Sequence, residues 1–291
     1  MRFSILLLSL LLSSLNLSAQ NLIKGKIIDA ASGDGLAYVN IGVVGKNIGT
    51  VSGLDGTFEL KIPASLNEQK LRVSMIGYQT KEFTVSDFRE KIRGNFILNL
   101  ASANLKIPEI TINESKLKLK RLGNKAEENF ISAGFGTDTL GNEIAVKIKS
   151  RRKTTYIREL NVGIAKNPYD TLRMRLNFYS IKKGKPHELI NQKNIIISTD
   201  MESGILTVDL RKYNIVMNQS FFLSLEWIED LKIRDSFMEQ YESQEPEDRD
   251  TLGVNYYAFY PARAAFYRST SHGTWGSIKG LGIAMNVKVL Q

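Results

Sequence analysis

Apolar residues recur at every second position in run after run of this chain, and the runs are broken by Gly, Asp, Asn and Ser. Thr171–Ile181 places Leu172, Met174, Leu176 and Phe178 on one side and Arg173, Arg175 and Asn177 on the other. Phe221, Leu223, Leu225 and Trp227 alternate in the same way, as do Leu281, Ile283, Met285, Val287 and Val289. Successive side chains of a strand point to opposite faces, so each run needs one buried face. A chain of many such short runs folds as sheets packed on sheets. Its 291 residues suffice for two cores at about 100–200 residues per domain. The expectation is an all-β fold of two β-sandwich domains in tandem.

In the N-terminal part the strand candidates are Leu22–Asp29, Tyr38–Val44, Thr57–Ile62, Leu71–Ile76, Gln79–Val85 and Phe96–Leu100. Turn signals separate them at Ser32-Gly33-Asp34-Gly35, Gly45-Lys46-Asn47 and Asp55-Gly56. Asp-Gly between apolar runs is a strong tight-turn signal, because Gly tolerates positive φ. One helical turn is expected over Ser86–Lys91. Ile76-Gly77-Tyr78 interrupts its strand with Gly, as a bulge or bend does.

The order of these landmarks carries a resemblance. They run Gly25, Asp29, Gly33, Leu36, Val39-Asn40-Ile41, Gly49-Thr50, Asp55-Gly56-Thr57-Phe58, Leu71-Arg72-Val73-Ser74 and Ile76-Gly77-Tyr78. This resembles the carboxypeptidase-like regulatory domain, a transthyretin-like sandwich of seven strands, over residues 20–113. Ser52-Gly53-Leu54 departs from that family's pattern, where Thr-Asp-x is usual. The resemblance implies a non-catalytic domain. Such domains accompany zinc carboxypeptidases, stand in front of TonB-dependent outer-membrane transporters, and occur in small exported proteins.

Residues 1–19 have the layout of a secretory signal peptide: Arg2, the apolar run Ile5–Leu12, then Leu17-Ser18-Ala19 as a cleavage site. The run is short of the ~20 residues a spanning helix needs, so no transmembrane span is expected after cleavage. The chain has no Cys, which removes disulfides, thiolate nucleophiles and thiolate metal sites. Export without cysteine fits the envelope of a Gram-negative bacterium, periplasmic or associated with the outer membrane.

The formal charge is +9, from 39 basic and 30 acidic residues. Nearly half of the excess lies in Glu114–Lys125, with five basic residues and one acidic. A nucleic-acid partner would ask for a basic face across a folded domain, and none is expected. Residues 114–128 read as a basic linker, either a solvated connector or an extra edge strand with its lysines outward. The sharper reading is contact with an acidic partner or lipid headgroups through Lys116–Lys125.

A zinc carboxypeptidase would need two His and a Glu as ligands. His187 and His272 are the only histidines and neither sits in such a pattern, so no metal and no cofactor is expected. A transporter barrel needs many alternating strands, more than the remaining length supplies, although Leu105–Asn113 resembles the strand that follows this domain in those transporters.

Residues 129–291 read as a second sandwich, with a jelly-roll arrangement as one option, a short helix over Lys125–Ser132 and two helical turns over Asp235–Glu242. Three constellations stand out. Glu226, Glu229 and Asp230 beside Trp227 are the carboxylates that a glycan- or peptide-directed hydrolase would use, but Glu226 and Trp227 point to opposite faces. Tyr256, Tyr257, Tyr260, Phe266, Tyr267 and Trp275 form an aromatic group. Of these, Trp275, Tyr256 and Tyr257 are the candidate ligand-binding residues, with Trp275 in SHGTWGS as a sugar platform. Arg151-Arg152-Lys153 form a basic hairpin tip. No catalytic residue is assigned. The leading expectation is a non-catalytic envelope protein that binds or scaffolds a partner protein or glycan, with a link to outer-membrane nutrient uptake; a hydrolase with its site in the C-terminal domain is the alternative.

Overall fold

The computed structural model describes residues 22–95, 97–103, 117–136, 139–150, 154–229, 232–244 and 252–291. Residues 1–19, for which an export signal is expected, and Leu105–Asn113, Lys116, Arg151-Arg152-Lys153 and Asp230 lie outside them. The fold is all-β, as the alternation implies. It divides into two compact units, one made of the residues up to Ala103 with Thr270–Thr274, the other of the remainder. Among the described residues no helix is long and apolar enough to cross a membrane.

The first unit runs β1 (Leu22–Asp29), β2 (Asn40–Val43), β3 (Gly49–Val51), β4 (Thr57–Lys61), β5 (Lys70–Ser74), β6 (Lys81–Thr84), α1 (Val85–Asn95) and β7 (Ile97–Leu100). These strands form two sheets, β4-β1-β7 and β3-β2-β5-β6. Ile27, Ile41, Phe58, Val73 and Leu98 from both sheets fill one core with Phe88 of α1. The helix is longer than the single turn expected. Thr84 Oγ1 accepts from Asp87 N at 3.1 Å and caps its start. Val85, Phe88 and Ile92, at helical spacing, are buried on its inner face.

The landmark residues hold this unit together. Asp55 Oδ1 accepts from Thr57 N and Oγ1 at 3.0 and 2.6 Å and fixes the turn into β4. Ser52, the departure from the family pattern, is fully buried. Its hydroxyl donates to Leu36 O at 2.7 Å and accepts from Val39 N at 2.9 Å. The pentapeptide Thr270–Thr274 adds to the unit: Gly45 N donates to His272 O at 3.0 Å, and His272 Nε2 lies 3.2 Å from Ser74 Oγ. A Cβ on Gly42 would stand 2.3 Å from Ser271 O, so only Gly permits this approach.

Asp29 accepts from Ala31 N, Ser32 N and the Tyr78 hydroxyl at 2.7, 3.1 and 2.7 Å. The Tyr78 bond above all, and then the two backbone bonds, hold its carboxyl below the ordinary 3.8. A depressed pKa contributes stability that is present above the unfolded value and lost as pH falls through the folded one. Tyr78→Phe is therefore expected to move the Asp29 pKa up toward 3.8 and to weaken this acid sensitivity. NMR titration of the Asp29 carboxyl checks it; an unmoved pKa rejects the assigned cause.

The second unit begins with β8 (Leu119–Gly123) and β9 (Ile131–Gly134). It continues with β10 (Glu143–Ile148), β11 (Thr155–Lys166), β12 (Leu172–Lys182), β13 (Lys185–Leu189), β14 (Ile196–Thr199), β15 (Gly204–Asp209), β16 (Ile215–Met217) and β17 (Phe221–Glu229). After α2 (Asp235–Ser243) come β18 (Asn255–Phe259), β19 (Ala265–Arg268), β20 (Gly276–Ile278), β21 (Gly282–Ile283) and β22 (Met285–Leu290). One sheet has the order β13-β12-β17-β10-β19-β20, with β14 also on β12. The other has the order β21-β18-β11-β22-β8, with β15 and β16 on β11 and β9 on β18. Met174, Leu176, Leu225 and Trp227 of the first sheet share one core with Leu160 and Val287 of the second. These are the apolar faces that the alternation marks.

Lys125–Ser132 is not helical. Asn129 Nδ2 donates to Ala258 O at 2.8 Å, and from Ile131 onward the chain pairs with β18 as β9. Pairing with a distant strand here overrides local helix preference. Within the basic stretch, β8 pairs antiparallel with β22, and Lys118, Lys120 and Arg121 are exposed.

Candidate functional site

The polar faces of β10, β12 and β17 are buried as well as the apolar ones. Glu143, Arg175, Asn177, Ser224 and Glu226 are all at most 2% exposed. Strand pairing brings them together, because Glu143 lies opposite Glu226 and Glu226 opposite Arg175. Arg268 of β19 faces Glu143 from the other side.

The contacts close on themselves. Glu143 Oε1 accepts from Ser224 Oγ at 2.6 Å and Asn177 Nδ2 at 2.9 Å. Glu143 Oε2 accepts from the Tyr179 hydroxyl at 3.1 Å and pairs with Arg268 at 2.5 Å. A carboxylate offers about four lone-pair positions, so four donors saturate Glu143. Glu226 Oε2 pairs with Arg175 at 3.2 Å and accepts from Asn177 at 3.0 Å. The Arg268 guanidinium lies 5.7 and 5.0 Å from the rings of Tyr179 and Trp275, which meet edge to face at 5.5 Å. Asn177 Oδ1 and Arg268 Nε have no hydrogen-bond partner among the described residues.

Burial pushes the Glu143 carboxyl above its ordinary value; Arg268 opposes this and Glu226 adds to it. Burial likewise drives the Tyr179 hydroxyl well upward, so it stays a neutral donor. Two carboxylates and two guanidiniums cancel, and the group acts as a neutral cross-strand lock.

Of the carboxylates singled out in the sequence, the two among the described residues, Glu226 and Glu229, do not converge on a reacting centre. Glu226 pairs with Arg175, and Glu229 pairs with Arg173 on the same neighbouring strand. Trp227 points into the core, its Nε1 donating to Glu229 O at 2.6 Å. The members that carry the lock, Glu143, Tyr179, Ser224 and Arg268, were missed. Their only signal was a polar face of period two, which ordinarily marks solvent.

The aromatic candidates are also separated. Tyr256 and Tyr257 lie on β18, whereas Trp275 precedes β20 in the other sheet. Tyr256 is buried, with its hydroxyl 3.4 Å from Met174 Sδ, and presents no ring face to a ligand. Tyr257 points to the opposite face of β18 and is half-buried. Trp275 is half-buried over Tyr179 and Phe222.

The outer face of the β11 sheet is polar. Lys288 pairs with Glu159 at 2.6 Å, and Asn161 accepts from Thr207 at 2.8 Å. Leu119, Arg158, Asp209 and Arg211 join Glu159 and Lys288 around an open groove of about 550 Å³.

No curated protein matches this chain. Among solved structures it is similar to the VP2 subviral particle protein of infectious bursal disease virus, at 8% identity and a TM-score of 0.23, covering 92% of this chain and 62% of that one. The Gx strain of the same virus gives 9% identity and 0.23, over 92% and 61%. The chain thus spans about three fifths of the length of those proteins, and a likeness this low carries no argument about fold or function. The family comparison is specific: residues 23–112, the N-terminal third of this chain, match the CarboxypepD_reg-like domain, a match that suggests a non-catalytic binding or scaffolding domain.

Proposed function

We propose that this protein is an exported, non-catalytic component of a Gram-negative cell envelope that binds or scaffolds a partner protein or glycan and serves outer-membrane nutrient uptake. The match of residues 23–112 to a carboxypeptidase regulatory-like domain carries this reading. The layout of Arg2, Ile5–Leu12 and Leu17-Ser18-Ala19 supports export. The hydrolase alternative loses its main support, because Glu226 and Glu229 each hold a guanidinium.

The test is expression in a Gram-negative host, fractionation and N-terminal sequencing of the recovered chain. Cleavage after Ala19 in an envelope fraction is expected, and a chain retaining Met1 in the cytoplasm sinks the reading. For a glycan ligand the platform is Trp275. Trp275→Ala is expected to reduce retention on a glycan affinity gel. It also removes the ring over Arg268, at a cost of about 1 kcal/mol, so its melting temperature falls by only a few degrees. Unchanged retention rejects Trp275 as the platform.

A further inference from the structure

The basic stretch that stands out in the sequence ends as β8, the last strand of its sheet. Lys118 and Gln291 exchange both backbone hydrogen bonds, at 2.8 and 3.1 Å, and Asn124 N donates to Met285 O at 3.0 Å. In an antiparallel ladder such pairs alternate with pairs whose N–H and C=O groups turn away. Lys120 and Leu122 therefore bond to β22. Leu119, Arg121 and Gly123 turn their backbone groups to the open edge, where no strand pairs with them among the described residues.

Charge gives this edge a direction. On the outer face Arg121 stands opposite Lys288, whose ammonium is engaged by Glu159. Arg121 thus has a cation on its inner side, no acidic partner among the described residues, and an open edge on its outer side. Leu119 shares this face and is 64% exposed, while Lys118 and Lys120 are exposed on the other face of the strand. A second copy of β8 paired here would set Lys and Arg against Lys and Arg, which is unfavourable. A strand bearing carboxylates would neutralise Arg121, take up the free peptide groups and cover Leu119.

We propose that β8 is a strand-addition site for an extended acidic segment of a partner protein. Main-chain hydrogen bonds from Leu119, Arg121 and Gly123 give the affinity, and Arg121 on the outer face gives the preference for acid. The proposal rests on the binding role argued above and names its partner's chemistry.

The experiment uses the full chain, a synthetic peptide of alternating Glu and Val, and amide hydrogen exchange read residue by residue. The expected result is binding that slows exchange at Leu119 and Arg121 by about tenfold or more. A Lys/Val peptide should not bind, and neither should the Glu/Val peptide N-methylated at every second residue. Arg121→Glu, an exposed change, should lower affinity for the Glu/Val peptide while the melting temperature holds. The proposal is overturned if Leu119 and Arg121 amides are already protected in the chain alone, or if N-methylation leaves binding intact. It is also overturned if phosphatidylglycerol vesicles bind the chain while no peptide slows exchange, since that outcome assigns the lysines to lipid. Any of these failures leaves the envelope role standing if the mature chain is still recovered from that fraction cut after Ala19.

Discussion

Arg268→Met is expected to lower the stability of the second unit by about 3–5 kcal/mol, the range for breaking a buried ion pair from one side. Arg268 is 8% exposed and its partner Glu143 is fully buried. Removing the guanidinium leaves a carboxylate inside the protein with three neutral donors and no cation. At about 2–4 °C per kcal/mol for a domain of this size, the melting temperature should fall on the order of 10 °C. Both tryptophans, Trp227 and Trp275, belong to this unit, so tryptophan fluorescence follows its unfolding. The double variant Glu143→Gln with Arg268→Met removes both charges and should recover most of the loss, because two neutral groups need no pairing.

The same variant should show a defined pH dependence. Burial already holds Glu143 above its ordinary 4.5, with Arg268 opposing the rise. Without Arg268 the folded-state pKa rises further. A raised pKa contributes stability that is fully present below the unfolded value and lost as pH rises through the folded one. The deficit of Arg268→Met relative to the native chain should therefore be smallest near about pH 4 and grow toward about pH 7. Urea midpoints across that range decide the matter. A deficit independent of pH would mean that lost packing against Tyr179 and Trp275, rather than the stranded charge, causes it.

Gly56→Ala is expected to unfold much of the first unit. Gly56 has φ +86°, where an L-residue costs about 1–2 kcal/mol. A Cβ there would stand 2.2 Å from Ile27 O and 2.8 Å from Leu36 N. Both atoms are backbone and already bonded, Leu36 N donating to Ile27 O at 2.9 Å and Ile27 N to Gly56 O at 2.8 Å. Neither can move without opening β1, so the total cost should reach at least about 3 kcal/mol. Amide exchange at Ile27 and Leu36 reads it directly. Native protection at both positions in the variant would refute the close approach.

Much of the fold was legible because the decisive signals are local. β1 spans Leu22–Asp29, as its pattern predicts, and the Asp55-Gly56 turn sits between apolar runs. The period-two faces of β12, β17 and β22 all point into the core. The helix α1 was only partly legible, because its buried positions Val85, Phe88 and Ile92 span more residues than the polar run that suggested a turn. β8 was legible as one of two readings of the basic stretch, an edge strand, whereas β9 begins in a segment expected to be helical. Their residues carry little apolar alternation, and they are strands because β22 and β18 offer them edges.

What the sequence by itself determined is an all-β chain with an N-terminal regulatory-like sandwich, since alternation and turn chemistry act over a few residues. Tertiary structure alone decided what lies against the polar faces. Alternation says that two faces of a strand differ; it does not say that Arg175 and Glu226, or Glu143 and Arg268, will meet. Those pairings depend on which strand lies alongside which, and in what register. Arg175, Glu226, Glu143 and Arg268, far apart along the chain, become a neutral lock once β10, β12, β17 and β19 are placed side by side.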